Sequence, residues 1–87
     1  MKFIYSKTFL KWLESFSNKK NIKEKINFVI KDFQINLFNS QFYRKKLKWY
    51  SDIHELYVTW DIRIIIRIVI IDDECKFMAI WTHSNLF

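Results

Sequence analysis

Every even position from Ile62 to Ile70 is isoleucine, and the odd positions between them carry Arg63, Ile65, Arg67 and Val69. A repeat of two belongs to a β-strand, which sends alternate side chains to opposite faces. An arginine is costly to bury without a partner. The isoleucine row therefore faces a core, and the arginine row faces water or an anionic ligand. A strand needs neighbours, and the flanking segments supply them: residues 53 to 59 on one side and 75 to 81 on the other, joined through turns near Trp60 and Asp61 and at Asp72 and Asp73. In the first of these, Leu56 and Val58 suit the core row together with His54, leaving Glu55, Tyr57 and Thr59 beside the arginines. A three-residue loop would set Thr59 opposite Arg63 and Glu55 opposite Arg67, carboxylate beside guanidinium.

Upstream the period changes. Phe9, Trp12, Leu13 and Phe16 recur at helical spacing after Ser6, whose hydroxyl suits an N-cap. Asn21 and Glu24 have the spacing of a capping box before Ile22, Ile26, Val29, Ile30, Phe33 and Leu37, a second stripe. Lys2–Tyr5 reads as a short edge strand. The chain has no glycine and no proline, so any turn needing positive φ falls to Asn18, Asn39, Asp61, Asp72 or Asp73. The expected architecture is a single α+β domain over residues 1–87. Two N-terminal helices pack on one face of a mainly antiparallel, twisted sheet of three to four strands.

A net charge of +6 favours nucleic acid, an acidic protein or an anionic membrane surface as partner. Ten apolar residues interrupted by Arg63 and Arg67 cannot span a bilayer. One cysteine, Cys75, makes no internal disulfide, and no leader-like stretch opens the chain, so a reducing cytoplasm is the expected home. One Cys and two distant His lack zinc-site spacing, and a chain without glycine has no glycine-rich phosphate loop, so neither metal nor small-molecule cofactor is expected. Arg44, Lys45, Lys46 and Lys48 form the densest basic run, interleaved with Phe42, Tyr43, Trp49 and Tyr50. Such a run is either a solvated loop or a phosphate-contacting rim with aromatics to stack on bases. Glu55, Tyr57, Arg63, Arg67 and His83, with His54 and Asp61 at the edges, make an acid-base-plus-arginine set. This is the kit for cleaving a phosphodiester without metal: a base for the attacking oxygen, an arginine for the charge on phosphorus and an acid for the leaving oxygen. The same arginines also suit plain cross-strand ion pairs.

The words LKWYSDIHEL, TWDIRIIIRI and THSNLF, in this order of elements, resemble the RelE/ParE superfamily of bacterial type II toxins, nearest the YafQ-like branch, over about residues 2 to 87. The resemblance implies a ribosome-dependent endoribonuclease that cuts mRNA using the substrate's own 2′-hydroxyl, silenced by a cognate acidic antitoxin. Carried over by position, it implies His83 as general acid, Phe87 as a substrate contact, Arg63 as transition-state stabiliser, Asp61 before the central strand, and His54 in the strand before it. The resemblance favours His54 as base where the period-2 pattern favours Glu55. Arg44, Lys45, Lys46, Lys48 and Arg67 become RNA- and ribosome-binding residues. Three positions depart from the pattern: Trp49 and Trp81 stand where glycine is usual, and Gln41 where the branch has a loop histidine. The alternatives are a ParE-like poison of DNA gyrase and a non-catalytic relic of the fold.

Overall fold

A computed structural model describes residues 1–45 and 52–82. The elements are β1 (Lys2–Tyr5), α1 (Lys7–Glu14), α2 (Lys20–Asn36), β2 (Tyr43–Lys45), β3 (Ile53–Tyr57), β4 (Ile62–Val69) and β5 (Glu74–Thr82). Short 3₁₀ turns span Leu37–Asn39 and Ile70–Asp72. The strands form one mixed sheet in the order β1-β5-β4-β3-β2, with β1 parallel to β5 and the other neighbours antiparallel. The expected three to four strands are thus five. The extra one is β2, whose Tyr-Arg-Lys has no apolar alternation of its own and pairs through β3.

The isoleucine row is the core row. Ile62, Ile64, Ile66 and Ile68 are buried in one cluster with Phe9 and Phe16 from the first helical stripe and Ile26, Val29, Ile30 and Phe33 from the second. Both helices therefore cover the isoleucine face. The row ends two residues before expected: Ile70 and Ile71 sit in the 3₁₀ turn and are exposed. Positive φ is taken by Asp73, as expected, and by Leu37, a residue with no side-chain reason to favour it; the other four expected positions, Asn18, Asn39, Asp61 and Asp72, do not use it. The second helix starts one residue before Asn21, with Lys19 at its N-cap and no side-chain cap bond, so the Asn21–Glu24 capping box is not formed.

Strand β5 contains a bulge. Ile65 pairs with Ala79 but Ile66 pairs with Phe77, leaving Met78 without a partner on β4. The buried positions accordingly switch from Cys75 and Phe77 to Ile80 and Thr82. Ser6 holds this irregularity in place. Its Oγ accepts from the Phe9 amide at 3.0 Å, capping α1, and donates to the Met78 carbonyl at 2.9 Å. Ser6→Ala removes both bonds, so a loss of about 1–2 kcal/mol is expected, measured as the shift in urea midpoint. A shift indistinguishable from zero would mean that neither bond matters to stability.

Candidate nucleic-acid interface and active site

The hairpin between β3 and β4 decides which acid meets which arginine. Thr59 accepts on its Oγ1 from the Asp61 and Ile62 amides, at 3.3 and 3.1 Å, and the Val58 and Thr59 amides both donate to the Ile62 carbonyl. The register that follows sets Tyr57, not Thr59, opposite Arg63, and Ile53, not Glu55, opposite Arg67. The shift from expectation is two residues, which preserves the faces and changes the partners. Arg67 Nε instead meets Asp52 Oδ2 at 2.8 Å. The hydrogen bond from Arg67 holds the Asp52 carboxyl below the usual carboxylate range. Glu55 lies diagonally from Arg63, with Oε1 3.9 Å from Nε.

Arg63 is held from several sides. Its Nη1 donates to the carbonyls of Thr59 and Ile62, and its guanidinium carbon stands 4.4 Å from the centroid of the Tyr57 ring. About 30% of its side chain stays exposed. On the other flank the register places Trp81 of β5 directly opposite. Arg44 on β2 faces Glu55 in register, lies 5.9 Å from the Tyr57 ring and donates to the Gln41 and Tyr43 carbonyls. Four residues further along β4, past Ile65, Arg67 faces Lys76. The open face thus gathers Arg44, Glu55, Tyr57, Arg63, Arg67, Lys76 and Trp81. A carboxylate beside an anchored guanidinium, among further cations, can take a proton and stabilise charge on a phosphate.

Other expected site residues stand elsewhere. His54 is buried on the core side of β3, as its place in the alternation requires, with Nδ1 2.6 Å from the Tyr43 hydroxyl and its ring 6.2 Å from that of Phe38. Burial pushes the Tyr43 hydroxyl above its ordinary pKa. Asp61 lines a pocket of about 200 Å³ with Trp12, Ser15, Phe16, Lys19, Ile22, Ile62 and Thr82. Lys45 is exposed and pairs in register with His54. The expected sites Lys46, Lys48, His83 and Phe87 lie outside the described residues. Two open-face side chains escaped the sequence reading. Lys76 is a lone cation in an apolar run, and Trp81 reaches this face through a bulge that alternation alone does not reveal. Among the described residues no group of three or more His, Cys, Asp or Glu is placed to hold a metal ion, and no helix is long and apolar enough to cross a membrane.

No protein-family model matches the sequence, and no curated protein does. Solved structures do. A YoeB/ParE toxin from Agrobacterium tumefaciens superposes with a TM-score of 0.79 at 15% identity, over 95% of this chain and 99% of that one. The E. coli DinJ-YafQ complex gives 0.76 at 18% identity, over 99% and 97%. The YoeB-YefM toxin-antitoxin complex of Staphylococcus aureus gives 0.74 at 16% identity, over 95% and 97%. With near-complete coverage on both sides, the chain has the fold of the RelE/ParE toxins.

Proposed function

We propose that this chain is the toxin of a type II toxin-antitoxin pair, a ribosome-dependent endoribonuclease that cuts mRNA by acid-base catalysis. The observation that carries the reading is the Glu55–Arg63 pair on a sheet face lined with further cations. Glu55 takes the proton from the substrate's 2′-hydroxyl, whose oxygen attacks the adjacent phosphorus. Arg63 stabilises the negative charge that develops there, and His83 gives a proton to the departing 5′-oxygen. The products are a 2′,3′-cyclic phosphate and a 5′-hydroxyl. His54 supports β2 from beneath through Tyr43, and Asp61 shapes the turn that precedes Arg63. Arg44 and Arg67 on the open face contact phosphates of the mRNA, Lys45, on the opposite face of β2, contacts the ribosome with Lys46 and Lys48 of the same basic run, and Phe87 touches the substrate. The partner is an acidic antitoxin in the cytoplasm. The fold neighbours solved with DinJ and YefM support that pairing.

Mapping transcript 5′ ends after induction tests the reading. Expected are cuts within translated codons, in frame, which disappear from a defined message when the nucleotide before the cut carries 2′-deoxyribose. Growth arrest with a DNA-damage response and intact transcripts would overturn it in favour of a gyrase poison.

A further inference from the structure

The bulge in β5 has an unusual consequence for side-chain burial. Continued alternation from Cys75 and Phe77 would carry Ala79 and Trp81 into the core and leave Ile80 outside. With Met78 unpaired the set reverses: Ile80 is fully buried and Trp81, the larger apolar side chain, stays 38% exposed on the arginine face. Burial of apolar area alone would favour the opposite arrangement. The displaced indole does not land on an arbitrary site. It stands across β4 from the Tyr57–Arg63 contact, so that Tyr57, Arg63 and Trp81 make one row over three adjacent strands, aromatic, cation, aromatic. Adjacent strands are about 4.8 Å apart, which puts the indole within a nucleotide's reach of whatever phosphate Arg63 holds. Four residues along β4 from this row, beyond the Ile65–Ala79 pair, Arg67 and Lys76 face each other as like charges, an arrangement that is unfavourable across a strand pair unless an anion is brought to it. Asp52 offsets one of the two from the side.

We propose that Trp81 is the base-stacking platform of the cut site: the nucleobase adjoining the phosphate at Arg63 lies on the indole, and a phosphate further along the message is drawn toward Arg67 and Lys76. This rests on the ribonuclease reading above and adds to it a specificity-determining residue. A stacked base is sequence-tolerant because every base has a π-face. Trp81 therefore contributes affinity for an ordered single strand and selects for stacking strength, purine over pyrimidine, more than for a hydrogen-bonding pattern.

The test uses the intact chain and ribosomes programmed with a defined message, read as the toxin concentration for half-maximal cleavage. Trp81→Ala and Trp81→Leu, the second keeping bulk without a π-face, are expected to raise that concentration roughly 5- to 150-fold, with Trp81→Phe restoring most of the loss. Replacing the base on one side of the cut by an abasic nucleotide should harm the parent to a similar extent and leave the Trp81→Leu variant nearly unaffected. Equal cleavage by parent and Trp81→Leu, or losses from variant and abasic site that simply multiply, would overturn the stacking role while cleavage by the parent leaves the ribonuclease reading standing. No cleavage by the parent overturns both. The thermal melt of each variant identifies any loss that is merely unfolding, and a folded Trp81→Leu decides the matter if Trp81→Ala does not fold.

Discussion

On the proposed ribonuclease reading, Arg63→Ala is expected to lower the rate of mRNA cleavage by roughly a hundred- to a thousandfold, the usual loss when one pre-positioned donor to a developing negative charge is removed. The size follows from how the group is held. Two backbone carbonyls take up Nη1, Tyr57 lies against the guanidinium, and Glu55 approaches Nε, so little reorganisation remains when the substrate arrives. Arg63→Lys should recover only part of the rate, because an ammonium is a point charge that cannot keep the carbonyl contacts and present a flat fork at once. The side chain lies outside the buried cluster but holds two turn carbonyls, so a loss of about 1–2 kcal/mol is expected as well, and the urea midpoint measured beside the rate separates lost chemistry from lost fold. Single-turnover cleavage on programmed ribosomes reads the rate. A variant as fast as the parent would remove Arg63 from the mechanism.

Phe77→Ala costs about 3–5 kcal/mol of stability, the range for deleting a buried aromatic ring. Phe77 is fully buried where the two ends of the chain meet. Its ring stacks on Tyr5 at 4.8 Å and lies 5.5 Å from Phe9, 6.2 Å from Phe3 and 6.5 Å from Phe33, so one side chain joins β1, α1 and α2 to the sheet. A domain of 87 residues has a total stability of about 4–13 kcal/mol. The variant thus loses a large share of it, and loses with it the residue that immediately precedes the bulge. Urea unfolding followed by far-ultraviolet circular dichroism measures the change. A loss below about 1 kcal/mol would show that this junction does not hold the fold together. Ile35→Ala, on the exposed side of α2, is the control and should change little.

In β3 and β4 the alternations were a reliable guide to faces; in β5 they held only as far as the bulge. Strict isoleucine at even positions placed Arg63 and Arg67 opposite the helices, and the same rule placed His54 beneath β3 and Glu55 above it, where the family resemblance preferred the histidine on the working side. Ser6 announced its helix because an N-cap is a purely local bond. The site was less legible. Glu55, Tyr57, Arg63 and Arg67 were identifiable as a set, but not which of them touch, and Arg44 was read only as part of the basic run. Trp81 was marked only as a departure from a usual glycine, with nothing to say which face it takes, and the Asn21–Glu24 pattern marked a cap that does not form.

What the amino-acid order determined by itself is therefore the side of the sheet on which each residue of β3 and β4 falls, since in an unbulged strand that depends only on chain geometry repeating every two residues. Tertiary structure alone decided the register, the fifth strand and the bulge. Each depends on hydrogen bonds between segments distant in sequence: Thr59 closing its turn moved Glu55 from Arg67 to Arg63, β2 exists only against β3, and the Ser6 hydroxyl reaches 72 positions along the chain to the Met78 carbonyl that brings Trp81 to the arginine.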